Sequence, residues 1–387
     1  MEESKKKGIA ILGSTGSIGT QALDVIKKNT DLFFVSVLTA NENADLLIKQ
    51  AKEFKPNTVV IGNEEKFNKV KGSLSDYDIK VFTTNEAIEQ VIDFEENDII
   101  LNSLLGFAGL KPTIKAINSG KILALANKES LVIAGEIINK SYEGSQASII
   151  PVDSEHSAIY QCLIGEFNNP IEKIMLTASG GPFYGKDSKH LEKVTKADAL
   201  KHPKWNMGNK ITIDSATMMN KGFEIIEAKW LFDLRIDQIE VLVHPQSLVH
   251  SFVQFTDGSI KAQLGMPDMR IPIQYAFSFP KRIKSDFPRL DFLKYPNLTF
   301  DSPDFDTFPN LRLAYQVIEK AGNMPCILNA GNEIAVEAFL SEKAGFQDIY
   351  RINKKCLETI DYMKNPSLDD YFKIDAETRK FAKTLIK

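Results

Sequence analysis

Ile9-Ala10-Ile11-Leu12-Gly13-Ser14-Thr15-Gly16-Ser17-Ile18-Gly19 is a short aliphatic run broken by three glycines. It is followed at once by a helical pattern in which Ala22, Val25 and Ile26 share one face. Gly13 permits a tight turn, Gly16 lets backbone approach a pyrophosphate, and the helix N-terminus beyond supplies N–H groups and a favourable dipole. The G-x-x-G-x-x-G spacing departs from the stricter dinucleotide pattern, and such a turn also serves as a plain tight connection. Its surroundings favour the nucleotide reading. Strand-like runs at 9–12, 33–38, 58–61, 98–101, 121–125 and 148–150 alternate with amphipathic stretches, the signature of a doubly wound, Rossmann-like parallel sheet.

The second of these strands ends in Thr39-Ala40-Asn41-Glu42-Asn43. An acidic side chain there accepts a ribose hydroxyl and disfavours a 2′-phosphate, so Glu42 by itself points to NAD.

Past residue 150 the rhythm changes to α+β. A helix is expected over 154–163 and a strand over 174–177, followed by a polar stretch of Gly, Pro and Lys through 208 with an isolated Trp205. A stretch this long with so little strand signal is a functional lid or a disordered segment. A single helix is expected over 216–232, then strands over 241–243, 248–255 and 259–264, the last two joined by an Asp257-Gly258 hairpin turn. Residues 281–310, rich in Pro and Asp, read as a connection, and helical patterns dominate thereafter. The expected fold class is therefore α/β in three parts. A nucleotide-binding sheet covers 1–150, a central α+β catalytic and dimerisation domain 151–280 with a lid at 179–209, and a helical domain 311–387.

Length and composition agree. A chain of 387 residues exceeds what one core usually serves. At 43% hydrophobic and 25% charged, with mean hydropathy -0.17, it has material for packed cores and no run long enough to span a membrane. The net charge of -4 gives no basic footprint for nucleic acid. Cys162, Cys326 and Cys356 are odd in number, far apart and without a C-x-x-C pair, so they read as reduced buried thiols. The charged residues 1–7 run straight into the first strand without a signal peptide, and a cytoplasmic protein is expected.

Two acidic segments suggest a metal. In Ile149-Ile-Pro-Val-Asp153-Ser154-Glu155-His156, an extended chain would send Asp153 and Glu155 to one side. Helix capping and dipole complementation explain the same residues equally well. In 214–230, Met219, Phe223, Ile226 and Trp230 form an apolar face, while Asn220, Lys221 and Glu224 fall together away from it. That arc is either an ordinary solvated surface or a cluster of amide, ammonium and carboxylate. If Asp153, Glu155 and Glu224 meet, the all-oxygen set selects Mg²⁺ or Mn²⁺ over zinc. Such an ion would polarise a carbonyl beside a hydroxyl. Ser179 and His202 flank the expected lid; each is a candidate anion contact or, more simply, a turn residue and a surface histidine. His156, His190, His244 and His250 read as structural.

At these residues the chain resembles the 1-deoxy-D-xylulose 5-phosphate reductoisomerase family. The matching segments are Gly13–Gly19, Leu125-Ala-Asn127-Lys128-Glu129-Ser-Leu, Val152–His156, Ser179-Gly-Gly-Pro-Phe183, His202-Pro-Lys-Trp205-Asn-Met207-Gly208, Asp214–Glu224 and Asn329-Ala-Gly-Asn332-Glu333. The resemblance implies NADPH at Thr15, Gly16, Ser17, Ile18, Asn43, Asn127, Glu129 and Gly208. It implies a metal at Asp153, Glu155 and Glu224. Substrate contacts are implied at Lys128, Ser154, Glu155, Ser179, His202, Ser215, Asn220, Lys221 and Glu224, with Lys128, Asp153, Glu155 and Glu224 catalytic. Ser179, Ser215, Asn220 and Lys221 would hold a phosphate; Lys128, Ser154 and the metal would handle the reacting oxygens. A homodimer and a mobile lid are also implied. The implied reaction rearranges a ketose phosphate, then reduces the resulting aldehyde to 2-C-methyl-D-erythritol 4-phosphate. In one place the chain departs from the family: Asn41 and Glu42 stand where a Gly and a basic residue commonly face the 2′-phosphate, leaving backbone and Asn43 to hold it. Two rivals are a plain NAD(P)-dependent dehydrogenase, which leaves the acidic residues unexplained, and a non-catalytic nucleotide-binding protein.

Overall fold

The computed structural model describes residues 5–166, 168–201 and 208–386. Seven parallel strands form the first sheet: β1 (Lys7–Leu12), β2 (Phe33–Ala40), β3 (Thr58–Ile61), β4 (Lys80–Thr83), β5 (Ile99–Asn102), β6 (Ile122–Leu125) and β7 (Ser148–Pro151). Their order is β4-β3-β2-β1-β5-β6-β7. Six of these strands are expected from the aliphatic runs. β4 is an edge strand with two of its four residues exposed, so it lacks the apolar run that marks its neighbours.

The order of strands reverses between β1 and β5, and the glycine turn lies at this switch point, where α/β sheets bind ligands. Gly13 has φ +88°, a conformation costly to any residue with a Cβ. A Cβ on Gly19 would stand 2.4 Å from the carbonyl oxygen of Gly13, so only glycine lets the helix Ser17–Lys28 start this close to the turn. That helix buries Ala22, Leu23, Val25 and Ile26. On the sheet, Ile9, Ile11, Leu12, Leu38, Ile99 and Leu123 are fully buried, each contributing about 2 kcal/mol of apolar burial.

The chain gathers into two compact units. One comprises the chain up to Asn127 with Ile138–Ser154 and Met269–Phe287; the other comprises Lys128–Ile137, Glu155–Asp268 and the chain from Pro288. The segment 269–287, placed by sequence at the end of the central region to residue 280 and in the connection beyond it, joins the nucleotide sheet. Its helix Arg270–Ser278 lies on Ser17–Lys28. Arg270 Nη1 reaches Asp24 at 2.9 Å, and Phe277 meets Phe33 edge-on with centroids 5.9 Å apart. No element is expected from the sequence over 270–278, and the helix's partners lie far away in the chain.

In the second unit, β8 (Ile171–Ala178), β9 (Ile239–Val243), β10 (Val249–Phe255) and β11 (Ile260–Leu264) form a mixed sheet ordered β11-β10-β8-β9. The expected hairpin joins β10 and β11. Within the stretch after Ala178, short helices occur at Ser188–Leu191 and Lys196–Ala199; His202, Trp205 and Met207 lie outside the described residues. The helix expected over 216–232 is Met219–Leu231, and an unexpected helix, Asn209–Ala216, precedes it, the two separated by Met218 in a left-handed conformation at φ 61°. The apolar pattern runs across the break and so conceals it.

Residues from 288 onward edge the second sheet and then become helical. Asp301 exchanges backbone hydrogen bonds with Val243 at 2.8 and 2.9 Å, and Phe300 stacks on His244 at 4.7 Å. The helices Pro309–Lys320, Met324–Leu340, Asp348–Thr359 and Leu368–Thr384 follow, with Met324–Leu340 buried along most of its length. The three cysteines are free and buried. No described helix is long and apolar enough to cross a membrane.

Candidate active site

The helix Met219–Leu231 carries the centre of the site. Of its supposed solvated arc, Lys221 and Glu224 are buried and Asn220 is half-buried, and Glu227 nearby on the helix is buried as well, which overturns the surface reading of that face. Lys221 Nζ donates to Glu155 Oε1 at 2.8 Å and, at close range, to Glu224 Oε2. The other oxygen of Glu224 accepts from Lys128 Nζ at 3.1 Å and from the amide of Asn220, whose own oxygen accepts from Lys128 at 3.0 Å. Five of the expected residues, Lys128, Glu155, Asn220, Lys221 and Glu224, therefore form one hydrogen-bonded cluster.

Burial alone would push the Lys221 ammonium toward neutrality; Glu155 and Glu224 outweigh it and hold its pKa above the usual lysine value. Two carboxylates gathered around one enclosed cation fit the donor set of a hard divalent ion. Ser154 and Glu155 lie in the first turn of the helix Ser154–Leu163, so the extended geometry expected for Asp153 and Glu155 is replaced by a helix start. Asp153 still brings a carboxylate oxygen within 4.8 Å of one on Glu155, because the chain turns into the helix between them.

His156 and Glu227 form a pair that sequence reading passed over. Both are fully enclosed, with His156 Nδ1 3.2 Å from Glu227 Oε2 and Nε2 2.9 Å from the carbonyl oxygen of Glu224. The Glu224 carbonyl takes up Nε2, while the carboxylates of Asp153, Glu155 and Glu224 form a separate all-oxygen group. The adjacency of His156 to Glu155, and of Glu227 to Glu224 one helical turn away, was the available signal.

A second network braces the approach to this cluster. Lys210 donates to Glu129 at 2.6 Å and lies 3.1 Å from Asp214, whose other oxygen accepts from Asn332 at 2.7 Å. Burial raises the Glu129 carboxyl and Lys210 more than offsets it, holding it below the usual carboxylate range. For Asp214 burial prevails and its pKa is raised despite Lys210. Asn353 continues the chain of bonds, donating to Asn332 at 3.2 Å and Asn310 at 3.1 Å. This network holds the helix that begins after Gly208 and carries Ser215. Ser179 lies at the end of β8 and accepts from the Gly181 N–H at 3.1 Å. Gly181 packs so closely on this helix that a Cβ would stand 2.8 Å from the Ser215 carbonyl oxygen, bringing the two serine-bearing segments together.

The remaining candidates lie on the first unit. Gly16 caps the helix Ser17–Lys28 without a side-chain hydrogen bond; Gly16 and Ser17 are exposed, and Thr15 and Ile18 half-buried. Asn43 caps the helix Ala44–Phe54 by accepting from the Leu46 N–H at 3.1 Å. Asn127 is buried, its amide donating to the carbonyls of Leu104 and Gly106 at 2.8 and 3.0 Å. It thereby fixes the loop that follows β5.

A switch-point glycine turn in one unit and an enclosed carboxylate–ammonium cluster in the other define the class: a nucleotide-dependent enzyme with a site for a hard cation. Three family models match along the chain. They are 1-deoxy-D-xylulose 5-phosphate reductoisomerase over residues 9–135, its C-terminal domain over 149–232, and the DXP reductoisomerase C-terminal domain over 264–381. The chain is 57% identical over 381 residues to 1-deoxy-D-xylulose 5-phosphate reductoisomerase of Phocaeicola vulgatus, spanning 98% of this chain and 99% of the relative. It is 57% identical over 386 residues to that of Bacteroides fragilis, spanning 100% of each. Among solved structures, the Zymomonas mobilis enzyme in complex with NADPH is 42% identical with a TM-score of 0.92, over 99% of this chain and 100% of that one. A DOX-P reductoisomerase in complex with NADPH, fosmidomycin and magnesium is 39% identical with a TM-score of 0.93, over 98% of each chain. The chain belongs to the 1-deoxy-D-xylulose 5-phosphate reductoisomerase family.

Proposed function

We propose that this enzyme converts 1-deoxy-D-xylulose 5-phosphate into 2-C-methyl-D-erythritol 4-phosphate with NADPH and a divalent metal. The observation that carries the reading is the enclosed Lys221 shared by Glu155 and Glu224, in a chain 57% identical to named reductoisomerases over its full length. A simple dehydrogenase has no use for this cluster.

Asp153, Glu155 and Glu224 would hold magnesium or manganese, which as a Lewis acid polarises adjacent carbonyl and hydroxyl oxygens. Lys221, Asn220, Ser179, Ser215 and His202 would hold the phosphate. Lys128 and Ser154 orient the reacting oxygens, with Lys128 providing a proton donor beside the carbonyl. The rearrangement moves a carbon–carbon bond without net oxidation. NADPH supplies hydride to the aldehyde carbon, and one proton completes the alcohol. Thr15, Gly16, Ser17 and Ile18 offer their turn and helix N-terminus to the pyrophosphate, with Asn43, Asn127, Glu129 and Gly208 completing the cofactor site.

As in the family it resembles, the enzyme works as a cytoplasmic homodimer. Sedimentation analysis tests the dimer. The activity is tested by mixing protein, 1-deoxy-D-xylulose 5-phosphate and NADPH with and without Mg²⁺ or Mn²⁺, following absorbance at the nicotinamide band and identifying the product. Metal-dependent formation of 2-C-methyl-D-erythritol 4-phosphate is expected; metal-independent turnover, or oxidation of a simple alcohol instead, overturns the proposal.

A further inference from the structure

Glu42 stands two residues past the end of β2, where a free carboxylate would accept the ribose hydroxyls of NAD. Its carboxylate is already engaged. Lys66 Nζ lies 2.6 Å from Glu42 Oε2 and 2.5 Å from the Glu42 carbonyl oxygen, and the Asn63 amide lies 3.1 Å from both carboxylate oxygens. The backbone sets this clamp. The β2–β3 pairing continues beyond the strands, with the Gly62 N–H donating to Ala40 at 2.8 Å and the Asn63 N–H to Asn41 at 3.1 Å. The segment after β3 is thus fastened beside the segment after β2. A second acid of this rim, Asp45, is matched by Lys69 at 2.6 Å. Glu64 and Glu65 add negative charge to the segment that supplies Lys66.

We infer that Lys66, delivered from the β3 side and steadied by Glu42, is the residue that selects the 2′-phosphate of NADPH over NADH. Exposed ion pairs of this kind exchange readily, so Lys66 Nζ can bridge a phosphate oxygen while remaining close to Glu42. In this arrangement Glu42 acts as a tether for the lysine, and the basic charge missing from position 42 is restored from another strand. The hydrogen bonds to Lys66 and Asn63 also hold the Glu42 carboxyl below its usual range, keeping it charged and paired.

The inference rests on the NADPH reading above, and binding rather than turnover tests it. NADPH and NADH affinities are measured by calorimetry for wild type, Lys66→Ala, Lys66→Gln and Lys66→Arg. Lys66→Ala and Lys66→Gln should weaken NADPH by roughly ten- to a hundredfold, as for one charge-assisted phosphate bond, and, by freeing the Glu42 carboxylate for a ribose hydroxyl, leave NADH affinity equal or tighter. Lys66→Arg should keep the preference. NADH binding that is not weakened also reports that the variants are folded. Equal loss for both cofactors, or no change for NADPH, overturns the role of Lys66 while leaving the NADPH reading intact. Failure of wild type to prefer NADPH overturns both.

Discussion

Lys221 lies 2.8 Å from Glu155, an enclosed ammonium against a carboxylate that keeps only 18% of its surface exposed. The pair has few alternatives in solvent, so its charge balance depends on what occupies the site. Glu155→Gln keeps the shape and removes the charge. Its kcat/KM should fall at least about a hundredfold, and its affinity for Mn²⁺, followed by electron paramagnetic resonance, should fall with it. Unchanged Mn²⁺ binding would remove Glu155 from the ligand set.

His156 and Glu227 are enclosed together, so removing one takes a buried polar contact from the other. His156→Leu and Glu227→Leu should each destabilise the protein by about 1 to 3 kcal/mol. The double variant His156→Leu/Glu227→Leu should lose less than the sum of the two single losses. Thermal melting of the three proteins gives the comparison, and strict additivity would mean that the two side chains do not support each other.

Asn332 links the helix Met324–Leu340 to Asp214 at 2.7 Å. Asn332→Leu leaves a buried carboxylate oxygen without this donor and should cost about 1 to 3 kcal/mol. The same change loosens the helix that carries Ser215, so the KM for the sugar phosphate should rise more than kcat falls. Steady-state kinetics that show only a kcat effect would contradict this positioning role.

His244 is held neutral by burial, its pKa depressed below the ordinary 6.5 although its bond to the Thr299 carbonyl opposes this. The unfolded chain therefore takes up a proton first as pH drops. Stability from this group is complete above about pH 6.5 and is lost as pH falls toward the lower folded pKa. His244→Gln should flatten denaturant midpoints across that window. A parallel decline in wild type and variant would place the pH dependence elsewhere.

Much of the first sheet is legible because parallel strands buried on both faces must be aliphatic, as Ile9–Leu12 and Thr58–Ile61 are. β4 escapes because an edge strand needs no such run. The residues of the buried cluster are also visible as residue types, since Asn220, Lys221 and Glu224 are unusual companions on an apolar helix. Their burial is not visible, because a helical wheel cannot distinguish water from other protein on the polar side. Nor does spacing disclose partners remote in sequence: Asp214 with Asn332 and Arg270 with Asp24 exist only after folding. The kink at Met218 stays hidden for a related reason, since left-handed methionine has no sequence signature.

The chain passes from one compact unit to the other five times, after residues 127, 137, 154, 268 and 287. During synthesis, the nucleotide-binding unit cannot acquire its last helix until residue 278 has left the ribosome, by which time the second unit as far as Asp268 has emerged. The two must mature side by side. A gene cut at residue 150 would release a sheet lacking Arg270 and Phe277, so neither half is an interchangeable module for recombination or transplantation.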